Sequence, residues 1–433
     1  MLIQRAVLLD GTEADIRAGE RIVEVGDLAP NKGEDVLDAA GGTVIPGIHD
    51  HHVHLRSAAA ARTSARVGPA EVRGRDDLAR ALADAAVGSD GWIRAVGYHE
   101  AVAGPLDRDL LDEVSPPVPV RVQHRSGVLW TLNSAALTRV GLTDHPDGRL
   151  RSADHSWSDT LQRNEGGLAE VSRTLSAYGV TGVTDATPDF EVSDIVKLLA
   201  AHRRGELRQR VHCLAPGKRI LHDGDLDLDE LTAWIADRHA DDAPVAVHCV
   251  TAAQLVVTLS ALRAAGTHPD DRIEHAAVVP DDNIADLVDL GVMVVTQPNF
   301  VAERGDHYLA DIPADEHHEL WRVASLRAAG VKVALSTDMP FGVGDPWATM
   351  RAAVHRTTAS GAVLGPDECV SAREAFTMFF GTSGNPAEAR RIQRGQPGDL
   401  CVLVAPPKVL LDEFDAEMVA ATVVAGEIVF ERA

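Results

Sequence analysis

The chain predicts an α/β fold. Its core is a (β/α)8 TIM-like barrel over residues 46–389, beside a small β-sandwich built from both termini, 1–45 and 390–433. Three observations point there. Short runs of Val, Ile and Ala alternate with amphipathic helical stretches through the middle of the chain. Roughly eight such pairs over about 300 residues suit a barrel better than an open sheet. Both ends instead hold short β-like pieces punctuated by Gly and Asp.

The elements follow in order. Residues 1–45 carry pieces such as "RIVEVGDL", too few strands to bury a core alone. The first barrel strand is "TVIPGIHDHHVH". Further strands are "WIRAVGY", "VPVRVQH", "GVTGVTDA", "RVHCLAP", "PVAVHCV", "DRIEHAA", "GVMVVTQP" and "VKVALSTD". Near-continuous apolar runs of this kind belong to parallel strands covered on both faces. Between them, "DDLARALADAAV", "GLAEVSRTLSAYG", "VSDIVKLLAAHRRG", "LDELTAWIADRHA" and "LWRVASLRAAG" have helical spacing. No glycine-rich phosphate loop follows the first strand, which argues against a dinucleotide-binding sheet. The end, with "DLCVLVAP" and "MVAATVVAGEIVF", returns to β and completes the sandwich.

Composition excludes several classes. A net charge of −24 sets aside nucleic acid and anionic membranes as partners. Apolar runs fall far short of the roughly 20 residues of a membrane-spanning helix. The opening "MLIQRAVLLDGTEADI" turns polar too early for a secretory signal. Cys213, Cys249, Cys369 and Cys401 lie far apart, which fits a reducing compartment and a cytoplasmic protein. The expected partner is a small molecule, with homo-oligomerisation left open.

Chemistry accumulates where such barrels place it, at the C-terminal ends of strands. "PGIHDHHVHL" (46–55) holds four histidines. Alternation on a strand sends Asp50, His52 and His54 one way, His49 and His51 the other. His248 ends "PVAVHCV", His275 ends "DRIEHAA" and Asp338 ends "VKVALSTD". Each alone has an ordinary structural use, and Asp338 could simply cap a helix. Together, at successive strand ends, four imidazoles and a carboxylate converge as ligands for zinc or a similar divalent ion. Asp338 can also accept and return a proton. Tyr98 and His99 in "GYHE", and His124 and Arg125 in "QHRSG", are strand-end candidates for substrate contact. Cys249, on the other face from His248, reads as buried packing.

"PGIHDHHVHL" resembles the PGxxDxHxH opening of the amidohydrolase superfamily, with Asp50, His52 and His54 on its motif. "VAVHCV", "RIEHA" and "STDMPFG" resemble that superfamily's later His, His and Asp strands. "LWTLNSAAL", "DRIEHAAVV", "VVTQPNF" and "GQPGDLCVL" are similar to amidohydrolase family 3, the N-substituted formamide deformylase-like group. The resemblance implies hydrolysis of a non-peptide C–N bond, amide or cyclic amide, by metal-activated hydroxide. Heterocycle deamination is the alternative, and a non-catalytic scaffold barrel a distant third. It also implies two zinc or other divalent ions, one on His52 and His54, another on His248 and His275, bridged by a carboxylated lysine. Of the chain's five lysines, Lys32, Lys197, Lys332 and Lys408 fall in the wrong places. Lys218 follows "RVHCL" and precedes the unit of His248, where the bridge belongs.

Overall fold

Apolar runs buried on both faces become parallel strands. The computed structural model, which describes residues 1–151, 157, 166–188 and 190–432, has eight parallel strands in two sheets of one unit, formed by Met1–His54 and Ala169–Ala433, with Arg210–Cys213 and Lys218–Ile220 only partly buried. They are β1 (Ile48–Val53), β2 (Val180–Asp185), β3 (Arg210–Cys213), β4 (Lys218–Ile220), β5 (Ala246–Cys249), β6 (Arg272–His275), β7 (Met293–Thr296) and β8 (Lys332–Leu335). β1, β2 and β3 form one parallel sheet with β2 at its centre, and β4 to β8 form a second in chain order. A single parallel bridge, Val53 to Met339, ties the end of β1 to the residue run after β8.

The number of βα units differs from the expected eight. Only residues 214–217 separate β3 from β4. Parallel neighbours need a crossover of about a dozen residues, so β3 and β4 are consecutive segments of one run. The first pairs with β2 and the second with β5. Among the described residues no ladder closes the set into a continuous barrel. Helices Leu228–Ala240, Ala252–Ala265 and Asp281–Leu290 cross between β4 and β7. Asp227 and Thr251 cap the first two, accepting from the N–H of Glu230 and Gln254.

Both termini meet in one eight-stranded sheet. Leu400–Leu403 lies antiparallel to Thr43–Pro46, with Val402 opposite Val44. The first strand, Leu2–Leu8, breaks register between Ile3 and Ala6, where Arg5 has φ of 55°. Before the break it pairs with Val36–Asp38, after it with Thr43–Val44. Ile3, Ile16, Ile22, Val44, Leu400, Val402 and Val423 bury together on this sheet.

Leu55–Leu168 is the second compact unit, and it takes two strands expected in the barrel. Ile93–Tyr98 and Val120–His124 pair side by side in a separate sheet with Ala65–Arg66, Leu129–Leu132 and Arg149–Arg151. Two of its pairings are antiparallel, and Val67, Leu78, Leu82, Ile93, Leu111 and Val122 form its own core. The reason is that apolar periodicity identifies a strand without naming the sheet it joins.

Candidate metal centre

β1 obeys the strand alternation. His49 and His51 stack on one face, ring centroids 4.6 Å apart, and the His49 Nε2 meets the Thr184 hydroxyl at 2.9 Å. Asp50 and His52 take the other face, and all four are buried. Asp50 is a clamp: its Oδ1 accepts from the Thr337 N–H (3.0 Å) and its Oδ2 from the Thr337 hydroxyl (2.6 Å). Burial pushes this carboxyl up to about 7. The clamp and two backbone bonds, Asp338 N–H to His52 (3.0 Å) and His54 N–H to Met339 (2.7 Å), hold the run after β8 against β1.

That junction assembles the centre. Asp338 Oδ1 lies 3.4 Å from His54 Nε2 and 3.6 Å from His52 Nε2. The three ligand atoms lie within 4.8 Å of one another. The His275 ring is 4.7 Å from that of His52, and His248 is 4.4 Å from His275, centroid to centroid. Lys218, buried at the start of β4, places its Nζ 3.0 Å from His52 Nε2. The sequence-derived set His52, His54, Lys218, His248, His275 and Asp338 therefore shares one neighbourhood. Cys249 is buried, its Sγ 3.3 Å from the Thr258 hydroxyl.

The donors suit a divalent ion. Burial holds the imidazoles of His52, His248 and His275 well below the usual value, so they are neutral at pH 7. His52 Nδ1 donates to Glu274, and His275 Nδ1 donates to the Gln297 carbonyl oxygen at 2.8 Å. His54 Nδ1 meets the Thr187 hydroxyl at 3.2 Å. With Nδ1 donating, His52 and His275 present their Nε2 lone pairs, the state a metal ligand requires. Asp338 Oδ1 is buried without a hydrogen-bond partner. Burial pulls the Asp338 carboxyl up, but His54, His52 and Lys218 outweigh this and hold it below the ordinary range. Burial pushes the Lys218 ammonium down to about 8.

Glu274, Arg272, Gln297, Thr187 and Thr337 were not singled out from sequence. Alternation puts Glu274 and His275 on opposite faces, yet both reach this centre. The backbone supplies the reason: His275 has φ of 71° and Asp338 of 56°, left-handed values that side-chain-bearing residues seldom adopt. Such geometry concentrates at functional positions. It was the only local signal, and it is visible only in coordinates.

The four substrate-contact candidates lie in the second unit. Tyr98 is buried and donates to the Gly104 carbonyl at 2.6 Å, with burial pushing its phenol up to about 12. His99, Glu100 and His124 form a second group of close ligand atoms. Here the chemistry differs: His99 Nδ1 accepts from the Ala101 N–H and His124 Nδ1 from the Ser126 N–H, both at 3.2 Å. His124 Nε2 meets Glu100 at 3.1 Å, so hydrogen bonds hold these three side chains in place. The Arg125 N–H donates to the Tyr98 carbonyl at 2.8 Å.

Comparison with known proteins places the chain in a family. Residues 35–430 match the model of the amidohydrolase family. The N-substituted formamide deformylase of Arthrobacter pascens is 25% identical over 98% of this chain and 93% of its own. An uncharacterized metal-dependent hydrolase from Pyrococcus horikoshii superposes with a TM-score of 0.73 at 19% identity, covering 95% of this chain and 98% of that one. The 5-methylcytosine deaminase of Klebsiella pneumoniae gives 0.56 at 14% identity, covering 100% and 98%.

Proposed function

Because the chain belongs to the amidohydrolase family, we propose that it is a metal-dependent hydrolase of a non-peptide C–N bond, amide or cyclic amide, in a small molecule. The observation that carries this is the approach of His52 Nε2, His54 Nε2 and Asp338 Oδ1, with both rings buttressed at Nδ1 and the carboxylate oxygen otherwise unpartnered. These three would hold one ion, and His248 with His275 a second. Zinc suits nitrogen and carboxylate donors of this kind. When bound, such an ion supplies Lewis acidity, drawing the pKa of water to about 7 and polarising a carbonyl.

The chain's own residues do the rest. Asp338, anionic and buried, takes a proton from the attacking water and returns it to the departing nitrogen. Asp50 and Thr337 keep Asp338 on the His52–His54 edge. Lys218 is the residue that would carry a bridging carbamate: burial pushes its ammonium down to about 8, so the neutral amine, which adds CO2 with loss of a proton, is accessible. Its place beside His52 favours amide hydrolysis over deamination, which needs no such bridge. Separate cysteines and the absence, among the described residues, of a helix long and apolar enough to cross a membrane fit a cytoplasmic enzyme.

The test is a turnover screen of zinc-loaded protein on N-substituted formamides, N-acyl amines, cyclic imides, lactams and amino-heterocycles. Carboxylate or formate release that chelation abolishes is the expected result. Ammonia release from the heterocycles alone would mean deamination. Full activity in protein holding well under one ion per chain would defeat the metal centre.

A further inference from the structure

His52 is gripped differently from the rings beside it. His275 rests its Nδ1 on the neutral amide of Gln297, and His54 on the hydroxyl of Thr187. His52 instead donates Nδ1–H to a carboxylate, Glu274, which is wholly buried. Both Glu274 oxygens also accept from the Arg272 guanidinium, Nη2 reaching Oε2 at 3.1 Å. The same Nη2 donates to the backbone carbonyl of His51 at 2.8 Å. One cation thus fixes the carboxylate and the main chain immediately before the histidine that the carboxylate holds.

The geometry points to Glu274, braced by Arg272, as a positioning residue that makes His52 the anchoring metal ligand. It follows that the ion on the His52–His54–Asp338 side binds more tightly than any ion on His248 and His275. This rests on the metal-centre reading above. A carboxylate accepting from Nδ1–H fixes the ring orientation and raises the basicity of Nε2; losing such a partner typically costs 10–100-fold in affinity or activity. A neutral amide or hydroxyl fixes the ring with less effect on basicity. Asp338 adds a second anion on the same side, whereas the Gln297 amide that holds His275 is uncharged. Buried ion pairs also occur as inert structure, so the test must separate the two roles.

Metal-free full-length protein is titrated with Co(II) against a competing chelator, reading visible absorption and counting ions by mass spectrometry. Wild type is compared with Glu274→Gln, Glu274→Asp and Gln297→Leu. Glu274→Gln should weaken the tightest binding step by about 10–100-fold and change its absorption. Glu274→Asp should recover part of the loss, and Gln297→Leu should leave the tightest step alone. Folded Glu274→Gln protein that takes its first ion with wild-type affinity and spectrum overturns the proposal. So does Gln297→Leu weakening that step equally. Should Glu274→Gln not fold, 15N-histidine-labelled wild type decides. The His52 Nδ1–H resonance, assigned by its loss in His52→Gln, should lie furthest downfield of the imidazole protons; an ordinary shift overturns the assignment. Undiminished Co(II) binding by the His52→Gln/His54→Gln double variant would instead sink the metal-centre reading itself.

Discussion

Asp338→Asn isolates proton transfer from architecture. The substitution keeps the side chain's size and planarity. It leaves the backbone bonds of residue 338 intact: the N–H on His52 at 3.0 Å, and the carbonyl accepting from Phe341 (2.8 Å) and Gly342 (3.0 Å). What disappears is one negative charge and one basic oxygen, 3.4 Å from His54 Nε2 and 3.6 Å from His52 Nε2. His52 and His54 remain, so most of the metal should remain. Losing a general acid/base costs about 10²–10⁴ in rate, which is about 2.7–5.4 kcal/mol of barrier at 1.36 kcal/mol per decade. The assay is kcat on the best substrate from the screen, with metal content and melting temperature measured on the same preparation. The expected outcome is a kcat at least about 100-fold down with near-wild-type metal and stability. A kcat within tenfold of wild type refutes the proton-transfer role. A loss of activity in strict proportion to lost metal would show that Asp338 only holds the ion.

Three further outcomes follow from packing and burial. A Cβ at Gly182 would stand 2.4 Å from His49 Nδ1, so Gly182→Ala should destabilise by about 1–3 kcal/mol; unchanged urea unfolding would show that the ring can move aside. The Asp50 carboxyl is raised from 3.8 to about 7 by burial, so the folded metal-free chain binds a proton that the unfolded chain releases. Its contribution to stability is therefore present below pH 4 and lost as pH rises toward about 7. Asp50→Asn should flatten the fall in melting temperature over that window, and a parallel profile counts against the assignment. Cys249 and Cys401 are buried, their thiols pushed up by burial, the first to about 12, so a thiol reagent at pH 8 should label native Cys213 and Cys369 well ahead of them. Equal labelling of all four under native conditions would contradict this.

The sequence by itself determined which residues could meet. A strand's period of two separates His52 from His49 and His51 without any coordinates, and parallel strands carry their C-terminal ends to one side, which is why His248, His275 and Asp338 were legible as a set. Apolar runs likewise located seven of the eight parallel strands and missed β4, Lys218–Ile220, which carries two cations in three residues. Tertiary structure alone decided which sheet each strand joined: Ile93–Tyr98 and Val120–His124 read in sequence as apolar runs like those of the first unit, because periodicity reports a covered face and not what covers it. It alone decided that β3 and β4 are one run, since a four-residue link is ambiguous until pairing partners are known. It alone brought Glu274 to His52 across 222 positions of sequence. Strand alternation predicts the opposite face for one of Glu274 and His275, and the left-handed backbone at His275 sets that rule aside. Sequence carries a residue's chemistry and local period; its partner is set by long-range packing, where no local pattern reaches.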